Sequence, residues 1–251
     1  MNYYEYDENA TLTCNRCGWS GKAKDADKEY FDQLFTVDCP NCGNLPSLLA
    51  VEYPTIQETK DAAAGGNKEA VSNLPVALLV EDWQTLRQKA ERLVQERITG
   101  SRKGLPDAPA HLHSFRVGSL LGENDCEPEV VLAGLLHDVI EDGGVTVEEL
   151  RGIGCSKRMI ELVQLCSHPM EIKNSTERWV LMMAKLIQAS DVDAWAIKLA
   201  DLADNLTECH AMSADKRRFM VNAKVPILLK LTERFTELQS LRDELKVEAD
   251  K

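Results

Sequence analysis

No stretch of the chain approaches eighteen uninterrupted apolar residues, and its first ten residues, MNYYEYDENA, are acidic and polar. Neither a membrane span nor a secretory signal is expected, and the chain reads as cytoplasmic. Positive charge is short as well: 29 Lys and Arg against 41 Asp and Glu leave a formal charge of −12. That argues against a broad nucleic-acid surface, because gripping a phosphate backbone needs a basic footprint. It leaves room for a small anionic ligand whose charge is neutralised locally by a metal ion and a few basic groups. Histidine is scarce, with five in 251 residues. Any imidazole site must therefore draw on His111, His113, His137, His168 or His210.

What is present is ordinary for a globular protein: 44% hydrophobic and 28% charged residues, enough for one mid-sized domain and a small one. The eight cysteines divide in two. Cys126, Cys155, Cys166 and Cys209 are scattered through helix-like segments and read as reduced, mostly buried thiols. Cys14, Cys17, Cys39 and Cys42 form C-x2-C-x21-C-x2-C, and each pair is followed by a glycine, Gly18 or Gly43. Such turns point two thiolates at one ion, and two of them complete a tetrahedral four-thiolate site for structural Zn²⁺. A small module needs that staple. A zinc deaminase would need a His-x-Glu upstream of its Pro-Cys-x-x-Cys, and every histidine here lies downstream. The cysteine module resembles a zinc ribbon, expected to serve folding and contact with a protein partner.

Short apolar and alternating pieces make residues 1–55 a β-rich ribbon. Residues 56–74 carry no apolar periodicity and a Gly65-Gly66 pair, and read as a linker. From 75 to 251 the pattern is helical, with no run of strands that could form a sheet. Helices are expected from Pro75 to Gly100, His111 to Leu121, Glu127 to Asp142, Val147 to Ile153, Lys157 to Cys166, Thr176 to Ala189, Asp193 to Cys209 and Asp215 to Val247. The fold class is thus an all-α domain behind a small β-rich module.

Within the second domain, LAGLLHDVIED (Leu132–Asp142) ends an apolar run in His137-Asp138 and Glu141-Asp142. At helical spacing those residues share one face. Three carboxylates beside a core are costly unless a cation neutralises them. A second polar set, Lys198, Asp201, Asp204 and Asn205, recurs on one face of AIKLADLADN.

A histidine on one helix, His-Asp on the next and a distant Asp later resembles the HD-domain phosphohydrolases. The text RKGLPDAPAHLHSFRV, LLHDVIED and KLADLADN is similar, in that order, to the hydrolase domain of RelA/SpoT-type alarmone enzymes. The resemblance runs from about Arg97 to Leu206. It implies an HD hydrolase domain over 75–251, with His113, His137, Asp138 and Asp201 as metal ligands. That set suits Mn²⁺, or Fe²⁺ or Zn²⁺. It implies Glu141 and Asp142 as the groups that orient and deprotonate water, and Arg102, Lys103, Lys198 and Asn205 as substrate contacts. The activity implied is removal of the 3′-pyrophosphate of (p)ppGpp by metal-activated water, a stringent-response hydrolysis, with no synthetase domain attached. The register from Pro109 and Val117 favours His113 over His111. Ser114, Ala110, Val139 and Leu202 depart from the family pattern without removing a ligand. His168 and His210 read as loop or helix-end residues, Asp204 as structural, and the site as mononuclear. Two rivals stay open: an HD nucleotidase or phosphodiesterase for another nucleotide, and a non-catalytic nucleotide-sensing protein.

Overall fold

The computed structural model describes residues 1–43, 46–102, 104–169 and 171–251. They form two compact units, Met1–Asp82 and Trp83–Lys251.

In the first unit β1 (Thr11–Thr13) and β2 (Ser20–Lys22) make an antiparallel hairpin. β3 (Asp27–Tyr30), β4 (Leu34–Asp38) and β5 (Leu49–Glu52) make an antiparallel sheet in that order. Side chains alternate across the central strand, so Phe35 and Val37 of β4 turn inward with Val51 of β5. Among the described residues those three form the buried cluster, ringed by partly buried Tyr3, Tyr6, Leu12, Ala26 and Leu49. So thin a core does not hold a fold alone.

Residues 56–74, expected as a linker, are helical for most of their length. α1 (Ile56–Ala64) starts at a capping box in which Thr55 and Glu58 satisfy each other's backbone N–H. α2 (Lys68–Arg97) then begins seven residues before Pro75. The boundary between the units falls within α2.

The second unit is built of helices, with one correction. The loop after α2 contains a short antiparallel pair, β6 (Ser101–Arg102) with β7 (Leu105–Pro109), where no sheet is expected from the sequence. α3 (Leu112–Glu123) and α4 (Pro128–Leu135) pack closely. A Cβ on Gly134 would lie 2.2 Å from Leu121 Cδ1, so any larger residue there would force the buried Leu121 side chain to move. α5 (Val147–Ile153) and α6 (Lys157–Cys166) follow the expected bounds, and α7 covers Ser175–Ala189.

α8 (Val192–Thr207) is the central element, packed against α3, α4, α6 and the last helix. Trp195, Ile197, Leu199, Ala200, Leu202, Ala203 and Leu206 are all buried along it. The polar side chains of its other residues are thereby confined to one stripe. The C-terminal region, expected as a single helix, is broken into α9 (Ala214–Phe219), a π-helical turn (Met220–Lys224), α10 (Val225–Thr232) and α11 (Gln239–Ala249).

The helix expected to run from Glu127 to Asp142 stops at Leu135, with Leu136 as its cap. A continuing helix would pair the Gly134 carbonyl with the Asp138 N–H. Instead that carbonyl meets the His137 N–H at 3.3 Å and the His137 ring Nδ1 at 2.7 Å. The His-Asp pair thus lies in a series of turns, residues 136–143, and not on a helical face.

Candidate metal centres and the cavity beside them

In the first unit the two cysteine turns share one construction. The Gly18 N–H bonds the Cys14 carbonyl and the Gly43 N–H bonds the Cys39 carbonyl, both at 2.9 Å. Both glycines have φ near +80°, the left-handed conformation that disfavours any other residue. The four sulfurs lie within 4.8 Å of one another, with Cys14–Cys42 at 3.6 Å and Cys17–Cys39 at 3.4 Å. Tetrahedral Zn–S bonds of about 2.3 Å set sulfurs about 3.8 Å apart, so the cluster has the size of a zinc site. No disulfide joins them. Backbone N–H groups of Cys17 and Arg16 hold the Cys14 thiol down to about 6, while the crowded sulfurs push Cys42 up, so one thiolate forms readily in the cluster and further ones do not without a cation.

The second centre is assembled from α3, the turns after α4, and α8. His113 on the first turn of α3 and His137 meet edge to face, ring centroids 5.1 Å apart. Ligand atoms of His113, His137 and Asp201 all lie within 4.8 Å of one another. His113 Nε2 is 3.2 Å from Asp201 Oδ1 and 3.6 Å from Asp138 Oδ2, and His137 Nε2 is 3.1 Å from Asp138 Oδ1. The imidazoles are buried, while the Asp138 side chain is 23% exposed. The cluster therefore opens on its carboxylate side.

Both imidazoles are locked from behind. A carbonyl only accepts, so His137 Nδ1 carries a proton and gives it to the Gly134 carbonyl. That leaves Nε2 fully buried with no hydrogen-bond partner. His113 Nδ1 lies 2.6 Å from Asp204 Oδ2, with Nε2 again turned to the cluster. A second polar group that fixes tautomer and ring orientation is the usual support of a metal-binding histidine. Burial pushes the His137 imidazole down, but the Asp138 and Asp201 carboxylates more than reverse this and raise it to about 10. Burial pushes Asp138 up, and the two imidazoles pull it to about 2. For Asp201 burial is likewise outweighed, first by Lys198 and then by both histidines. Each shift says that the cluster favours positive charge among its carboxylates. Two imidazoles with carboxylates, one nitrogen buried without a hydrogen bond, fit a divalent cation.

Beside this cluster lies a cavity of about 290 Å³, lined by Arg102, His113, Asp138, Glu141, Asp142, Lys198, Asp201 and Asn205 among others. His137 sits behind it. Residues three and four apart on α8 form a chain of contacts. Lys198 pairs with Asp201, Asn205 donates to Asp201 Oδ1 at 2.6 Å, and Arg102 donates to Asn205 Oδ1 at 2.7 Å and Glu208 at 2.8 Å. Arg116 closes the series by bridging Asp204 and Glu208. Lys103 lies outside the described residues.

Three features were not legible from spacing. His168, set aside in the sequence as a loop residue, lines the same cavity. Its backbone N–H donates to Glu141, and its Nδ1 lies 2.8 and 2.9 Å from the two Glu141 oxygens. Asp204 is more than structural, since it orients His113. Trp179 and Lys224 reach the cavity from α7 and the π-turn respectively, with no motif to announce them. His111 contacts Phe115 instead of the cluster, ring centroids 5.9 Å apart. His210 lies outside this cavity.

No protein-family model matches the chain. Over 183 residues it is 27% identical to the bifunctional (p)ppGpp synthase/hydrolase SpoT of Escherichia coli K12, covering 69% of this chain and 26% of that protein. A guanosine-3′,5′-bis(diphosphate) 3′-pyrophosphohydrolase of Haemophilus influenzae is 32% identical over 142 residues, 55% of this chain and 20% of its own. One from Aquifex aeolicus is 29% identical over 160 residues, 63% and 22%. The chain thus matches about a quarter or less of the length of these relatives. A solved structure, of a metazoan ortholog of SpoT described as hydrolysing ppGpp, superposes with a TM-score of 0.53 at 21% identity. It covers 66% of this chain and 92% of that one. The two share a fold. The chain is similar in sequence to SpoT-type (p)ppGpp hydrolases, and a mainly helical unit beside a small strand-bearing, four-cysteine unit is, apart from the β6–β7 pair, the architecture its sequence implies. Among the described residues no helix is long and apolar enough to cross a membrane.

Proposed function

We propose that the protein is a metal-dependent hydrolase of (p)ppGpp-like nucleotides that removes the 3′-pyrophosphate, giving GDP or GTP and pyrophosphate, in the cytoplasm. The observation that carries this reading is the buried Nε2 of His137, which makes no hydrogen bond yet is gathered with His113, Asp138 and Asp201 behind a cavity rich in both charges. His113, His137, Asp138 and Asp201 would hold the cation, Mn²⁺ being the ion this mixed nitrogen and oxygen set suits, with Fe²⁺ or Zn²⁺ as competitors. When bound, such an ion lowers the pKa of water and polarises a phosphoryl oxygen.

The chain's own groups do the rest. Lys198 and Asn205 fix the Asp201 carboxylate from two sides, so its orientation does not depend on the ligand. Glu141, a turn beyond Asp138, is held by the His168 imidazole and backbone; with Asp142 it is the base that takes a proton from the attacking water. Arg102, anchored by Glu208, presents the remaining edge of its guanidinium to the nucleotide, with Lys103 adjacent in sequence. The four cysteines hold a structural Zn²⁺, and the unit they staple is the proposed contact for a protein partner.

The test is product analysis. Purified protein is incubated with Mn²⁺ and ppGpp, pppGpp, GTP, dAMP or cyclic dinucleotides, and products are separated by ion exchange. GDP and pyrophosphate from ppGpp, abolished by chelation and by Asp138→Ala, are expected. Turnover of another nucleotide alone would move the substrate, and silence across the panel would reject the hydrolase reading.

A further inference from the structure

Among the described residues three lysine and arginine side chains line the cavity, and two are already committed. Arg102 is bonded to Glu208 and Asn205, and Lys198 is paired with Asp201. Lys224 makes no ion pair or hydrogen bond among the described residues. Its ammonium rests instead against two aromatic faces, 5.7 Å from the Trp179 ring and 5.8 Å from the Phe219 ring. Cation–π contact steadies a charge without neutralising it.

The backbone explains how the side chain gets there. Pro226 has no N–H to return to the Asn222 carbonyl, so the α-helical ladder cannot pass through this point. The chain widens into the π-helical turn Met220–Lys224, where the Val225 N–H bonds the Met220 carbonyl five residues back. Such turns rotate the following side chains out of helical register and recur at functional sites. Burial pulls the Lys224 ammonium below its ordinary value, and Lys198 adds to this, while Asp201 and Glu141 only partly offset them. The group carries a charge that its own surroundings do not balance, at the wall of a cavity that also offers Trp179, Met212, Met220 and Leu228 as apolar lining.

Lys224 is within electrostatic reach of Asp201 and Glu141 but makes no ion pair with either. Its ammonium, unpaired on the wall of the same cavity, is open to an anion of the ligand other than one held at the histidine–carboxylate cluster. We propose that Lys224 recognises a second phosphate of the nucleotide, the 5′-phosphate group remote from the bond being cleaved. It would thereby select nucleotides that are phosphorylated at both ends of the ribose. The inference rests on the nucleotide-hydrolase reading above, and its test does not need turnover.

Calorimetric titration of the full chain with GDP and with guanosine reads it directly. In the wild type GDP should bind more tightly than guanosine. Lys224→Gln should weaken GDP binding about tenfold, the scale of one lost charge-assisted hydrogen bond, and leave guanosine binding unchanged. Lys224→Arg should recover most of the loss. Unchanged circular dichroism and melting temperature in Lys224→Gln exclude a folding defect. With ppGpp as substrate, the loss should fall on KM. Equal GDP affinity in wild type and Lys224→Gln would overturn the proposal, as would a loss confined to kcat, which would place Lys224 on the reacting phosphoryl group. If the wild type fails to cleave ppGpp yet shows the GDP difference, the hydrolase reading falls and the phosphate site stands.

Discussion

Asp204 Oδ2 lies 2.6 Å from His113 Nδ1, and the Asp204 carboxylate is itself gripped by the Arg116 guanidinium. The imidazole of α3 is thereby aimed at Asp201 by a residue of α8 that need never touch a ligand. Burial pushes the Asp204 carboxyl up, and its bonds to His113 and Arg116 pull it below the usual range, so it stays ionised.

Asp204→Asn should therefore keep the fold but loosen His113. Loss of such a support typically costs about 10–100-fold in metal affinity. Titration with Mn²⁺ should show weakened binding, and excess Mn²⁺ should restore part of the activity. Unchanged Mn²⁺ affinity would remove Asp204 from the site.

Glu141 and His168 should behave as one unit. Glu141→Gln should lower kcat by about 10²-fold or more, the range of a lost general base, and His168→Ala should lower it less. Because His168 acts through Glu141, the double variant should lose no more than Glu141→Gln alone. Additive losses in that cycle would separate their roles.

The histidine–carboxylate motifs were legible because α8 repeats its polar residues at three- and four-residue spacing against an apolar background. α5 and α6 were legible for the same reason. The end of α4 was not: Val139 and Ile140 continue the apolar pattern beyond Leu135, and the His137 side chain's claim on the Gly134 carbonyl is a tertiary choice that periodicity cannot register. Thr55 and Glu58 did carry a capping-box signal for α1, masked by the Gly65-Gly66 pair behind it. His168, 27 residues from Glu141 in sequence, and Lys224, carried by a π-turn, are joined to the cavity only by folding.

The cysteine unit should depend on its metal. With Phe35, Val37 and Val51 as the buried cluster, chelation of the proposed zinc should collapse the chemical-shift dispersion of the β3–β4–β5 amide resonances. Cys39→Ser should abolish one equivalent of zinc measured by elemental mass spectrometry. A sheet unchanged after metal removal would show that the thiols are not its staple.

Asp191 caps α8 and pairs with Arg158 at 2.6 Å. The Arg158 hydrogen bond is the main cause that holds its carboxyl below the usual value. A carboxyl lowered on folding contributes stability above its unfolded pKa, about 3.9, and loses it as pH falls through the folded value. The melting temperature should drop below about pH 4, and less steeply in Asp191→Asn, which keeps a capping side chain without the charge. Asp191→Ala should cost about 1 kcal/mol more through the lost cap. Identical acid profiles in wild type and Asp191→Asn would contradict this.

The central claim is that His113, His137, Asp138 and Asp201 together hold a divalent cation. Anomalous diffraction from crystals grown with Mn²⁺ tests it without reference to any substrate. A manganese peak is predicted within bonding distance of His113 Nε2, His137 Nε2 and the Asp138 and Asp201 carboxylates. A map with no peak there, or with manganese only elsewhere, would contradict the account.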